Sequence, residues 1–335
     1  MANITMNRLT APTYRWLKVN EREIDVMEQP HANVQSSVPE QINLTTLPFD
    51  ETYKSDDNKS ELFAILSQNH AKQYVIAGSS DEPARFEIRN NGVCGFCIQA
   101  ENRQHLNVIM QMHADCTVYT GVHADAGAQV KLVQFIYGAK PVNEIHAELS
   151  DDARFELVQI YLNTENAVTD IQITMNGRKS EFTSNIGYLL ANSEQLDLNL
   201  NVVQKGRKCI SDTDVKGVLR DQAKKTFRGT IDFQLGAIGA KGAEKEDVLL
   251  MGSGIVNQTV PVILCAEEDV EGAHGASIGQ IDAEHVFYLQ SRGLPAAKIY
   301  ELIAQSKLNA IVRRIGDQET EHRIMQMIGR DQQDE

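Results

Sequence analysis

The sequence predicts a mainly β protein whose strands recur at a regular interval, followed by a helical C-terminus. Residues 128–137 (AQVKLVQFIY) and 153–162 (ARFELVQIYL) superimpose at an offset of 25, sharing alanine, Leu-Val-Gln and a run of apolar and aromatic side chains. Weaker echoes occur at 106–112, 196–203 and 229–235. A strand-forming unit that recurs every ~20–30 residues suits the stacked coils of a β-solenoid. An antiparallel sandwich with similar strand spacing fits the residues equally well. Beyond Asp282 the apolar period changes from 2 to one near 3.6, which is the signal for helices.

Taken in order, residues 19–57 read as irregular chain or short strands, and the polar run Tyr53–Lys59 as a loop or boundary. Ser60–Lys72, with Glu61-Leu62-Phe63-Ala64-Ile65-Leu66, reads as a helix, and the β core then runs from about 80 to 278. Within 128–137, period 2 sends Val130, Leu132 and Gln134 to one face and Lys131, Val133 and Phe135 to the other. One face is expected to fill the core while the other meets solvent or a partner. A solenoid also needs its ends covered, because open coils expose unpaired backbone. Gly236–Ala243 reads as a flexible loop; Lys241 precedes its glycine and no Ser or Thr follows, so it is no phosphate-binding loop.

In the C-terminal part, Asp282 is placed to cap a helix, Glu284 suits its first turn, and Gly293 supplies a left-handed stop. Pro295 then opens a second helix with an apolar stripe through Ile299, Leu302, Ile303, Ser306 and Ala310. A last helix is expected over Gln318–Ile328, with a frayed polar tail after it.

At 335 residues the chain is long for one core, so one large domain with appendages or two domains are expected. Five cysteines, an odd number, do not suggest a disulfide framework and fit a reducing compartment. Neither a secretory leader nor a membrane span is visible, which points to the cytoplasm and away from the membrane. A formal charge of −14 without a basic run argues against nucleic-acid binding.

His274 is the leading candidate for chemistry. Gly272, Ala273, Gly275 and Ala276 leave open space around its ring, so a second chain or a metal could approach closely. Cys265, at a strand end, is the nearest thiol in sequence; as a free cysteine it reads first as a small buried hydrophobe. Cys94-Gly-Phe-Cys97 is a lone CxxC. Residues three apart on a strand face opposite ways, so the pair could share a metal only if Gly95 made a turn. Cys116 and Cys209 read as structural. No G-x-S-x-G or H-E-x-x-H motif is present, and the scattered carboxylates single out no catalytic pair.

Residues 263–294 resemble the C-terminal signature of the SufB/SufD family of iron–sulfur assembly proteins. The match is carried by the histidine turn Gly272-Ala273-His274-Gly275-Ala276 and the helix Phe-Tyr-Leu-x-Ser-Arg-Gly at 287–293. The opening Ala11-Pro-Thr-Tyr-Arg-Trp-Leu-Lys-Val-Asn20 and the glycine at 275, where the SufB form has glutamate, favour the SufD branch. The resemblance implies a right-handed parallel β-helix core over 81–278, preceded by a mixed segment at 1–80 and followed by a helical segment at 279–335.

It further implies a non-catalytic scaffold subunit that forms a heterodimer with a SufB-like protein and assists iron supply and cluster formation. ATP hydrolysis would come from a SufC-like ABC ATPase bound through Asp282, Phe287, Tyr288, Arg292, Ile299 and Leu302. His274, and less strongly Cys265, would contribute to a transient iron or iron–sulfur site at the subunit interface, with nothing bound tightly by this chain alone. A homodimer of the isolated chain is also within this reading. Many SufD proteins carry cysteine where Gly272 stands, so a thiolate from this turn is absent here. The rival reading is a polysaccharide lyase or glycosidase on a parallel β-helix, which would turn over a glycan unaided.

Overall fold

A computed structural model describes residues 1–28, 30–49, 60–138 and 140–330. Two nine-stranded sheets face one another and form a parallel β-solenoid of about seven turns. After an antiparallel hairpin of β1 (Ala2–Met6) and β2 (Arg22–Val26), the chain lays down β3 (Val34–Ser37), β4 (Ile42–Pro48) and the helix α1 (Glu61–Gln68). From there strands alternate between the sheets. One sheet receives β5 (Lys72–Gly78), β7 (Gly92–Ala100), β9 (Cys116–Ala124), β11 (Val142–Leu149), β13 (Asn166–Met175), β15 (Gln195–Gln204), β17 (Lys224–Phe233) and β19 (Val256–Cys265). The other receives β6 (Ser80–Ile88), β8 (His105–Met112), β10 (Gln129–Ile136), β12 (Arg154–Leu162), β14 (Glu181–Leu190), β16 (Ile210–Arg220), β18 (Ala240–Met251) and β20 (Val270–Gln280).

The predicted repeat is the register of this stack. β10 and β12 pair in parallel at the 25-residue offset, Val130 against Phe155, Leu132 against Leu157 and Gln134 against Gln159. The echo at 106–112 is β8, next in the same sheet, while those at 196–203 and 229–235 fall on β15 and β17 of the opposite sheet. Inward residues such as Val130, Leu132, Leu157 and Ile186 fill one continuous interior. A short amide ladder of Gln134, Asn143 and Gln159 crosses it, each with a hydrogen-bonded partner, which is what makes buried amides tolerable.

The second strand face, expected to meet solvent or a partner, is instead covered by the chain's own helices along the middle of the solenoid. Val133, Phe135, Val158, Ile160, Leu189 and Val218 point outward yet are buried, because two C-terminal helices lie across them. These are α3 (Ala296–Val312) and α4 (Gln318–Arg330), reached through α2 (Ala283–Ser291). The buried stripe of α3 and the residues after it is Ile299, Ala304, Leu308, Ile311, Val312 and Ile315, whereas Leu302, Ser306 and Ala310 are exposed, so the predicted stripe was out of phase. Since Leu302 and Ile303 lie within one turn of Ile299, periodicity alone left the choice of face open.

The outer face of the opposite sheet is covered from the other terminus. Ile4, Met6, Ile24, Val26, Phe49, Leu62 and Leu66 pack there on Val93, Cys97, Tyr119 and Val142. The helix expected to reach Lys72 stops at Gln68, because Lys72 already pairs with Cys94 in the sheet. Ser60 caps it by accepting from the Phe63 amide at 2.9 Å. The run Tyr53–Lys59 and the tail 331–335 lie outside the described residues. No helix among the described residues is long and apolar enough to cross a membrane.

The two ends of the solenoid differ. At the start, β3 pairs antiparallel with β6 and β4 antiparallel with β5, so each sheet ends in a reversed strand. At the finish, the sheets end in the long parallel strands β19 and β20, which have no further neighbour among the described residues.

Candidate functional site at the open last coil

His274 lies midway along β20, and the turn expected at Gly272–Ala276 is instead extended strand. Small residues are weak strand formers, but β18 supplies a parallel template that holds Gly272 to Gln280 in register from Gly242 to Leu250. Glycine at 272 has a packing reason: a Cβ there would sit 3.1 Å from the Phe233 ring and 3.3 Å from Ile263. Gly275 and Gly279 point the other way, where a Cβ would meet nothing within 4 Å. The segment Gly236–Ala243, expected to be a loop, becomes strand from Ala240 for the same templating reason, with Lys241 opposite Ile210.

Register places His274 opposite Glu244, and both side chains face the solenoid interior. His274 Nδ1 stands 3.0 Å from Glu244 Oε1, with the imidazole 22% exposed and the carboxylate 4% exposed. The approach lacks the alignment of a hydrogen bond, and Oε1 has no other partner among the described residues. Room for this carboxylate comes from Gly229, where a Cβ would overlap Glu244 Oε2 at 1.6 Å. Burial and the neighbouring Glu246 charge push the Glu244 carboxyl up to about 7, with Lys225 opposing.

Lys225 is fully buried and in direct contact with the Glu246 carboxylate. Its ammonium also donates to Thr259 Oγ1 at 2.9 Å, and that hydroxyl donates to Glu246 Oε2 at 2.7 Å. Burial lowers the Lys225 pKa and Glu246 restores part of it, as expected of a desolvated but paired cation. Two oppositely charged groups thus satisfy one another immediately behind His274. Asn257, on the open strand β19, has both amide atoms buried and without a partner among the described residues.

Cys265 ends β19 as expected but is exposed, its thiol donating to the Glu267 carbonyl at 3.0 Å. The preference for a buried Cys265 is therefore corrected: an edge strand at the end of the stack has no later coil to cover it. Cys94 points into the interior and Cys97 to the outer face, so the CxxC does not converge. Gly95 makes no turn; it admits Phe49, whose ring would lie 2.2 Å from a Cβ. Cys116 and Cys209 are buried, and burial raises the Cys116 thiol to about 12. Among the described residues no group of three or more His, Cys, Asp or Glu is arranged to hold a metal ion.

The helical residues fall on two sides. Asp282 caps α2 by accepting from the Glu284 amide at 3.0 Å, and Gly293 ends it at φ +89°. Phe287 and Tyr288 are 72% and 53% exposed, Arg292 stacks over the Tyr288 ring at 5.2 Å, and Leu302 is also exposed. Ile299 is buried. Sequence reasoning missed Lys225, Glu244 and Glu246. The signal available was a charged residue at inward parity, Lys225 two before Phe227 and six before Ile231, which has meaning only once the strand and its face are known.

A family model described as the SUF system FeS cluster assembly SufBD core domain matches residues 90–307. The chain belongs to this SufBD core family. The match runs from the second coil through α2 into α3 and so takes in the His274 strand. SufD of Bacillus subtilis is 28% identical over 114 residues, 34% of this chain and 26% of that protein. SufD of Escherichia coli is 26% identical over 155 residues, 46% of this chain and 37% of that protein. A SufBD family protein of Trieres chinensis is 32% identical over 115 residues, 34% of this chain and 24% of its own length. The chain thus aligns with well under half of each of these relatives. Two SufD matches agree with the branch expected from the 11–20 opening and from Gly275.

Proposed function

We propose that this chain is a SufD-like, non-catalytic subunit that joins a SufB-like protein across its open last coil and assists iron supply and cluster formation there, in the cytoplasm. The observation that carries the reading is the pair of uncapped edge strands, β19 and β20, with His274 held between the interior carboxylate and the open end. Unpaired strand edges are templates for another chain. Iron or a nascent cluster would be cargo at that junction. Imidazole suits iron as a ligand of intermediate softness, and the remaining ligands would come from the partner. The close Glu244 carboxylate would orient the ring, as outer carboxylates do for metal-binding histidines.

A SufC-like ATPase would dock on the exposed side of α2 and α3 through Phe287, Tyr288, Arg292 and Leu302, with Asp282 holding the helix start. Truncating the chain at 282 is a poor test of that docking, because it would strip α3 and α4 from the apolar face formed by Val133, Phe135 and Val158. Surface substitution is cleaner: Phe287→Ser with Leu302→Ser should abolish ATPase capture while the melting temperature holds. His274→Ala in the reconstituted complex is expected to lower cluster content with partner binding and melting temperature unchanged. Normal cluster content with a lower melting temperature would instead make His274 structural, through its close contact with Glu244.

A further inference from the structure

A second region, away from His274, is built to receive another molecule. The segment carrying the 11–20 opening crosses the outer face of the sheet that ends in β19, and between segment and sheet lies an open trench of about 1070 Å³. Its floor includes Asn166, Gln195, Lys224 and Val256, which are register equivalents on four successive coils. At ~4.8 Å per coil this floor runs ~14 Å across the strands, the reach of about four residues of extended chain. The volume exceeds that of ordinary small-molecule pockets, ~300–1,000 Å³.

The trench is also the wrong charge for this chain. Arg8, Arg15, Lys18, Arg22 and Lys224 line it in a protein of net charge −14. Of the lining carboxylates, Asp197 is held by buried Arg228 at 2.5 Å, and Glu21 lies 3.8 Å from Arg8, which leaves Glu23. Arg15, Lys18 and Lys224 have no ion pair among the described residues, and the Nε of Arg22 is a buried donor without an acceptor. The wall is anchored: Arg228 Nε donates to the Val19 carbonyl at 2.5 Å, and Asn20 closes the loop by bonding both ways with Thr13. Beside the trench, on the segment that carries Arg15, Tyr14 and Trp16 stack at 6.3 Å and are 74% and 75% exposed. Aromatic and arginine side chains together are the usual anchors of protein interfaces.

We propose that this trench is a docking site for an extended acidic segment of a partner protein, whose carboxylates pair with Arg15, Lys18, Arg22 and Lys224 and whose apolar side chain is covered by Tyr14 and Trp16. This goes beyond the role assigned to the open last coil and does not depend on it. The single tryptophan of the chain is a built-in reporter.

The test titrates the full chain with a fluorescein-labelled, glutamate-rich peptide of about ten residues containing one phenylalanine. A lysine-rich peptide and an oligothymidylate of the same length serve as comparisons. Saturable anisotropy with a shift in Trp16 emission is expected for the acidic peptide only. Affinity should fall about tenfold in R15E/K18E/K224E, three reversed surface pairs, and should weaken as salt rises. Lys131→Glu, outside the trench, should leave binding unchanged. If the triple variant loses native circular dichroism, Lys224→Glu alone takes its place. Absence of saturable binding, an unchanged affinity in the folded variant, or equal affinity for the oligothymidylate would each overturn the proposal.

Discussion

The two ends of the solenoid are made from the same kind of coil and finished in opposite ways. At the N-terminal end, β3 and β4 reverse direction, so the two sheets end there in short antiparallel strands. The aromatic cluster of Phe49, Phe63 and Tyr119, with centroids 4.9–5.7 Å apart, seals the outer face beside them. At the C-terminal end, β20 is exposed along nearly its whole length and the interior ends in charged groups, Glu244, Glu246 and Lys225. A solenoid that could be capped at one end and is left open at the other has the form of a subunit prepared for a partner. We propose that the contrast is energetic, with the closed end carrying stability and the open end association.

The largest effect should come from breaking the closed end. Phe49 is fully buried over Gly95, so Phe49→Ala is expected to cost about 3–5 kcal/mol, read as a lower denaturation midpoint. A change below 1 kcal/mol would remove the energetic half of the contrast.

The next effect belongs to the interior of the open end and depends on pH. The Glu244 carboxyl titrates at about 7 in the folded chain against 4.5 unfolded, so the folded state binds the extra proton between those values. Stability should therefore fall as pH rises through that window and level off above 7, by roughly 3 kcal/mol at most. Glu244→Gln should flatten the profile between pH 5 and pH 8 in thermal melts. An identical slope in the variant would show that another group sets it.

The smallest effect is expected at the open edge itself. Ile278 is 48% exposed, and Ile278→Ala should change the stability of the isolated chain by less than about 0.5 kcal/mol. Guanidinium unfolding of this variant beside Phe49→Ala gives the ratio between the two ends directly.

Much of this contrast was legible in sequence at the level of elements. The 25-residue offset between 128–137 and 153–162 is the β10–β12 register residue for residue. The Asp282 cap and the Gly293 stop are both in place. What the residues could not reveal depends on coverage by distant chain. Val133 and Phe135 look like an exposed or partner-facing row until α3 and α4, more than 150 residues later, are laid across them. The glycine-rich 272–280 stretch has no strand signal of its own, and only β18 makes it extended. Glu244 was one of many carboxylates until pairing placed it under His274, and Lys225 and Glu246, 21 residues apart, meet only because β17 and β18 face one another across the interior.

We propose the open last coil as the surface on which a SufB-like partner docks. Gly279 offers the most direct test, since a Cβ there meets nothing within 4 Å among the described residues. Gly279→Trp should leave the melting temperature of the isolated subunit unchanged and abolish its co-elution with a SufB-like partner in size-exclusion chromatography. A variant that still forms the heterodimer with undiminished affinity would place the interface elsewhere and contradict the account.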